Sequence, residues 1–306
     1  MALENAQSTG GRLMLRLTTT CNSACAHCTI ADIAHHGEKS ARDALAEMKQ
    51  GRETGCTELV FMRGEVTLRE DFLPLVRHAR EIGYEFIQVQ TNGRALARGA
   101  YLRTALAAGI DFFEVSLFGH VAGLHDIIDG TPGAFREVVA GLKNLSRARC
   151  SYMLTIPVLK RNYMVLPQIV RRAANVGAPR VQFNFSRPVA TPIGWNTAPL
   201  VRLEEASPWI RRAIREAEKL GLSSGTEAVP LCHLRDEEQA GSDVSENFGR
   251  HRVADVHRLE TSMESHRETS RPKPEPCQQC SQVSVCPTTW AAYQELYGTA
   301  EFVPFD

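Results

Sequence analysis

Along residues 12–18 apolar and polar positions alternate, the period of a half-buried strand. Residues 40–54 then take helical spacing behind Ser40, a fair N-cap for Ala44, Leu45 and Met48. This pairing recurs. Strands are predicted at 57–62, 84–90, 111–117, 150–157 and 180–185, and helices at 71–83, 97–108, 135–145 and 167–174. The helix at 71–83 carries the apolar stripe Phe72, Leu73, Leu75, Val76, Ala79 and Ile82. Strand–helix repeats of about 30 residues match βαβ units with right-handed crossovers, so the predicted class is α/β, a partial (β/α)6 barrel. An incomplete barrel leaves a lateral opening, and functional side chains collect at the C-terminal ends of its strands.

Past the sixth strand the pattern changes. Residues 186–195 form a Pro/Gly-rich loop over the expected opening, with Arg187 and Trp195 as candidates for substrate contact, although a tryptophan there also suits a packing lid. A helix at 204–220 follows. From Pro230 onward an appendage begins. Residues 235–276 are rich in Glu, Ser, His and Arg and read as an exposed insertion. A helix at 288–297 closes the chain. The expected organisation is a barrel over 1–222 and a C-terminal extension over 223–306.

The chain of 306 residues is 43% hydrophobic, enough for one barrel core and an appendage. Lys plus Arg and Asp plus Glu balance at 35 each, so no global field favours nucleic acid or an anionic membrane. The first dozen or so residues are polar, and no run is long enough to span a bilayer, which points to the cytoplasm. In a reducing compartment nine cysteines point to metal or redox work rather than disulfides.

Cys21, Cys25 and Cys28 lie on one short loop after the first strand. Three thiolates are one short of a closed site, which suits an iron–sulfur cluster with an open iron. Zinc completed by His27 and His35 or His36, or plain buried cysteines, are the alternatives. Cys232, Cys277, Cys280 and Cys286 offer four thiolates, a closed second [4Fe–4S] cluster or a tetrahedral zinc, which spacing does not separate. Cys56 reads as a small packing residue. His233, His251, His257 and His266 fit no metal motif and are expected to be solvated. His125-Asp126 reads either as a pair orienting a proton donor or as a cap for the next segment, and no side chain stands out as a general acid or base.

The cysteine spacing resembles that of the radical S-adenosylmethionine (SAM) enzymes. Phe61-Met-Arg-Gly-Glu65 resembles the glycine-glycine-glutamate turn that ends their second strand and receives the amino group of SAM, with Arg63 where glycine is common and Val66 where proline is common. Gln90-Thr-Asn-Gly93 resembles the end of their third strand. Val115-Ser-Leu-Phe-Gly119, His125-Asp126 and Gly130-Thr-Pro-Gly133 resemble the fourth strand and the segment after it in the branch with a SPASM or twitch extension. The resemblance covers nearly the whole chain.

It implies a SAM-binding [4Fe–4S] cluster at Cys21, Cys25 and Cys28, SAM contacts at Gly64, Glu65, Ser116, His27 and Asn92, and an auxiliary [4Fe–4S] cluster at Cys232, Cys277, Cys280 and Cys286. Gln90, Arg187 and Trp195 are the substrate candidates, and a hydrophobic barrel is expected to shield the reacting radical. The implied chemistry is reductive cleavage of SAM to a 5′-deoxyadenosyl radical, with a flavodoxin or ferredoxin as electron donor. The expected function is oxidation of a small natural-product intermediate derived from a sugar, nucleoside or amino acid, because few residues precede the first strand to recognise a leader peptide. Maturation of a ribosomally made peptide and a non-catalytic cluster- or zinc-binding sensor are the alternatives. Nothing resembles an added cobalamin domain.

Overall fold

Leu13 and Leu15 are wholly buried on one face of the first strand, β1 (Gly11–Arg16), and the same period of two builds each strand that follows. The computed structural model describes residues 11–30, 37–191, 194–240, 251–254, 259–260 and 269–306. After β1 come α1 (Ala41–Glu53), β2 (Cys56–Met62), α2 (Phe72–Glu81), β3 (Phe86–Thr91), α3 (Gly99–Ala108), β4 (Phe112–Ser116), α4 (Ala122–Asp129), α5 (Ala134–Arg147), β5 (Ser151–Val158), α6 (Leu166–Asn175) and β6 (Arg180–Phe185). The short strands β7 (Val189–Thr191) and β8 (Gly194–Asn196) form a separate antiparallel pair before α7 (Leu203–Lys219). The chain continues through β9 (Ser223–Glu227), β10 (His251–Ala254), β11 (Leu259–Glu260) and α8 (Ala291–Tyr297).

The sheet order is β11-β10-β1-β2-β3-β4-β5-β6-β9. All six predicted strands are present and parallel in chain order. Three further strands of this sheet, β9, β10 and β11, and the β7–β8 pair were not predicted. β9 lies parallel to β6, so the sheet continues past residue 222, and β10, from within the expected insertion, lies parallel to β1. His35, His36, His257 and His266 lie outside the described residues, as does much of the insertion.

One face of the sheet is apolar and meets the helices. Leu59 and Phe61 of β2, Ile87 and Val89 of β3, and Phe113 and Val115 of β4 are at most 1% exposed. Phe61 meets Phe72 of α2 edge to face at 5.4 Å. Ser40 caps α1 by accepting from the N–H of Asp43, and the hydroxyl of Tyr84 donates to the carbonyl of Met48 at 2.9 Å, fixing α1 against the start of β3. The opposite face is polar, carrying Gln88, Gln90, Glu114, Ser116, Thr155 and Asn184. Among the described residues no helix is long and apolar enough to cross a membrane.

The His-Asp pair is structural. Asp126 accepts from the N–H of Gly133 at 2.8 Å and of Phe135 at 2.7 Å, capping α5. His125, 2% exposed, stacks on Phe118 and accepts the N–H of Phe118 at Nδ1. That bond needs the neutral ring, and burial lowers its pKa to about 4. Asp126→Ala should therefore cost about 1–2 kcal/mol in denaturant unfolding. Because the folded pKa of His125 is depressed, its neutral form stabilises the fold above about pH 6.5, and that stability is lost as pH falls toward 4. Unfolding between pH 7.5 and 5.5 should show a loss of up to about 1.4 kcal/mol per unit below 6.5 from this ring. His125→Gln, which keeps an acceptor, should flatten the slope.

Candidate active site

The cysteine loop leaves β1 and is held by side chains from β2, β3, α4 and the hairpin β7–β8. The N–H of Ala24 donates to the carbonyl of Asp129, and the hydroxyl of Ser23 to its carboxylate, both at 2.9 Å. A Cβ at Gly130 would sit 2.5 Å from the carbonyl of Ala24, so glycine there lets α4 press against the loop. Asn92 donates to Asn22 at 2.7 Å and approaches Cys21 Sγ at 3.9 Å. Arg94 bonds the carbonyl of Asn22 while Glu137 holds its guanidinium at 2.6 Å. Arg63 donates to the carbonyl and hydroxyl of Thr29, both at 3.0 Å. Arg187 reaches the same carbonyl at 3.2 Å, and Asn196 the carbonyl of Ala26 at 2.9 Å.

Burial pushes the thiols of Cys21 and Cys25 up, and neighbouring thiolates and Asp129 push the same way. Ligation as thiolates therefore needs a cationic group among them. The N–H of Ser23 meets Cys21 Sγ at 3.4 Å. Among the described residues no three Cys, His, Asp or Glu side chains gather tightly enough for one metal ion. A mononuclear zinc would need its thiolates about 2.3 Å from one point.

The turn after β2 seats this loop. Arg63 and Gly64 both have left-handed backbones, with φ of 72° and 56°. For a non-glycine residue that conformation costs about 1–3 kcal/mol. A Cβ at Gly64 would lie 2.6 Å from the carbonyl of Thr20 and 2.7 Å from that of Thr18. The carboxylate of Glu65, 1% exposed, accepts from Thr67, from Thr91 Oγ1 at 2.8 and 2.9 Å, and from the N–H of Asn92 at 2.7 Å. It joins β2 to β3 behind the wall, while Met62, Arg63 and Gly64 line the cleft itself.

That cleft opens at the C-terminal ends of the strands and takes residues from β1 through β6 and from β9. It brings together Cys21, Cys25, Cys28, Gly64, Ser116, His27, Asn92, Gln90, Arg187 and Trp195. The ring of His27 meets Phe118 edge-on at 5.0 Å, and burial lowers its pKa to about 4, so it lines the cleft as a neutral ring.

The cleft is lined by apolar side chains such as Met14, Met62, Phe118 and Phe185, with buried polar groups among them. Glu114, which sequence reasoning passed over, accepts from Thr155 at 2.7 Å, Gln88 at 2.8 Å and Gln90 at 3.0 Å, and burial raises its pKa. Glu227 of β9 bonds Asn184 at 2.6 Å and Arg271 at 3.0 Å. Arg271 stacks on Trp290, whose indole N–H donates to the carbonyl of Phe185 at 2.6 Å, so the extension supplies one wall of the cleft. For Glu114 a signal existed: it lies two residues before Ser116, on the same face of β4.

Cys232, Cys277, Cys280 and Cys286 line one small cavity. Burial raises Cys277 to about 11, with Cys286, Cys232 and Cys280 adding to the rise. Backbone N–H groups of Leu231 and Phe305 meet Cys286 and Cys280 sulfurs at 3.4 Å. Such donors favour bound thiolates. Beside this cavity His233 is buried rather than solvated. It lies 2.8 Å from Ser207 Oγ and 2.9 Å from the carbonyl of Glu301, knotting α7 to the C-terminal segment. Cys56, 1% exposed, is a packing residue as expected.

The AdoMet-dependent heme synthase of Oleidesulfovibrio alaskensis is 30% identical over 166 residues, 53% of this chain and 42% of that protein. The pre-heme d1 synthase of Dinoroseobacter shibae is 26% identical over 163 residues, 53% and 40% of the two chains. The chain thus spans less than half the length of these two relatives. Streptococcus suis SuiB bound to S-adenosylmethionine shares the fold, with a TM-score of 0.69 at 14% identity over 97% of this chain and 76% of that one. A family profile described as the Radical SAM superfamily matches residues 15–173, and with more than half its length matched the chain belongs to that superfamily.

Proposed function

We propose that this chain is a radical SAM oxidoreductase that oxidises a small natural-product intermediate derived from a sugar, nucleoside or amino acid. In this reading Cys21, Cys25 and Cys28 hold the SAM-binding [4Fe–4S] cluster. Cys232, Cys277, Cys280 and Cys286 hold an auxiliary one in a twitch-like extension, and a flavodoxin or ferredoxin supplies electrons. The observation that carries it is a single cleft lined on one side by the three-cysteine loop and on the other by Trp290 and Arg271, close in sequence to Cys286. When bound, the first cluster and SAM supply a 5′-deoxyadenosyl radical that takes a hydrogen atom from the substrate.

The chain's own residues orient and enclose. The turn at residues 62–64 lines the cleft, where its carbonyls would serve as acceptors for the SAM amino group, and Ser116 would offer a hydroxyl at the end of β4. Glu114, already hydrogen-bonded by Gln90 and Thr155, would accept a donor from the substrate, and Arg187 and Trp195, which line the same cleft, are the residues that would contact it. A closed set of four thiolates leaves no iron open for substrate, so the auxiliary cluster serves best as an electron conduit. Relatives named as heme and pre-heme d1 synthases favour a small molecule. Peptide maturation is the second reading, favoured by the width of the cleft and by SuiB having been crystallised with its precursor peptide SuiA.

Anaerobic reconstitution should load about eight irons per chain, and reduction with SAM should release 5′-deoxyadenosine, detected by mass spectrometry. Replacing Cys21, Cys25 and Cys28 together with alanine should abolish SAM cleavage and leave about four irons. Wild-type protein that loads both clusters yet never cleaves SAM, with or without trial substrates, would sink the catalytic reading. Cys232→Ala should lower the iron content but leave the cleavage of SAM without substrate intact.

A further inference from the structure

We propose that Glu114, with Gln90, Thr155 and Asn184 beside it, forms a subsite for a protonated amino group of the substrate; this deepens the reading above and rests on the substrate entering this cleft. The four side chains line the cleft from β3, β4, β5 and β6. Gln90 and Glu114 are direct partners across β3 and β4, so strand register sets their spacing. Glu114 is 9% exposed, and its carboxylate accepts from Gln88 at 2.8 Å, Gln90 at 3.0 Å and Thr155 at 2.7 Å. All three donors are neutral. Among the described residues no cation lies within salt-bridge distance of Glu114, and the lining arginines, Arg16, Arg63, Arg187 and Arg271, make no bond to it. Arg12 acts on it only from a distance and is itself paired with Glu58 at 2.7 Å.

A buried carboxylate held by neutral donors keeps a charge that nothing cancels, and burial makes that costly. Its oxygens offer about four lone-pair sites, so three donors leave room for another. The neighbours are poor in donors. Thr155 has spent its one hydroxyl hydrogen on Glu114, and Gln90 has turned its amide nitrogen, and so not its oxygen, to the same carboxylate. Asn184 donates to Glu227 at 2.6 Å, and its Oδ1 is buried with no hydrogen-bond partner. Acceptors therefore dominate this part of the floor. A protonated amine supplies both the missing charge and three donors, whereas a hydroxyl supplies a donor alone. A carboxylate or phosphate would set acceptor against acceptor. Within the small-molecule reading the favoured substrate is thus an aminated sugar, nucleoside or amino-acid derivative.

The test is saturation-transfer NMR on the full reconstituted chain with SAM present, using matched probes that differ in one group. One trio is glucosamine, glucose and glucuronate; the other is benzylamine, benzyl alcohol and benzoate. In at least one trio the amine should bind several-fold more tightly than the alcohol, with the carboxylate weakest. Glu114→Gln should bring the amine down to the level of the alcohol and leave the alcohol where it was. Thr155→Val, close in shape but without the donor, should widen the gap, and it carries the test if Glu114→Gln does not fold. The inference is overturned if neither trio prefers its amine, if the preference survives Glu114→Gln, or if Thr155→Val narrows it. Failure of the catalytic reading is distinct: the amine preference would hold while SAM is never cleaved.

Discussion

Glu65 receives hydrogen bonds from Thr67, Thr91 and Asn92 on its buried carboxylate, while its backbone N–H goes to the carbonyl of Thr20 at 2.8 Å. These bonds tie together the ends of β1, β2 and β3. Removing the carboxylate would strand several buried donors, each costing about 1–3 kcal/mol. Asn92 shows how far the constraint reaches. Its N–H is fixed by Glu65, and its side-chain amide then holds Asn22 beside Cys21. The cysteine loop, the turn at residues 62–64 and the end of β3 thus share one point of reference. A cofactor spanning all three meets preset distances, which is what orientation of a reactive group demands.

The sheet divides labour between its faces. Toward the helices it is apolar and wholly buried, which supplies the stability that a strained turn at Arg63 and a buried Glu65 consume. Toward the cleft it is polar, yet the polar groups there satisfy one another: Gln88, Gln90 and Thr155 on Glu114, Asn184 and Arg271 on Glu227. A network of this kind holds each acceptor in a fixed place without a cation at every carboxylate. For radical chemistry that matters because position, more than reactivity, selects the hydrogen that is taken.

Six strands and the main helices were legible because each combines a clean apolar period with turn residues at its ends. The cysteine groups were legible by spacing. β9 was not, since Ser223-Ser-Gly-Thr-Glu227 has no apolar alternation, and its place beside β6 is set by backbone pairing. β10 was hidden in polar composition for the same reason, its place between β11 and β1 being set by backbone pairing. Glu227 was missed because a lone carboxylate in a strand carries no motif, and Glu114, although it shares a face of β4 with Ser116, because its partners come from other strands. His233 was misplaced because composition suggested solvent, whereas Ser207 and the carbonyl of Glu301 give both ring nitrogens partners inside the fold.

The four-thiol cavity depends on the end of the chain as much as on its own cysteines. Phe302, Val303, Pro304 and Phe305 line it, the N–H of Phe305 donates to Cys280 Sγ, and the carbonyl of Phe305 accepts from Ser281. Arg235 stacks on Phe305 at 4.4 Å, and His233 binds the carbonyl of Glu301, so the segment after Cys232 grips the same tail. Tyr293 of α8 bonds Glu301 and donates to nothing in the barrel, but it accepts the N–H of Leu203 at the start of α7 at 2.8 Å. The tail is thereby registered to the barrel through α7, and the wall residue Trp290 through Phe185. A group held by these thiolates would keep a fixed distance from the cleft, the geometric requirement for moving an electron between the two.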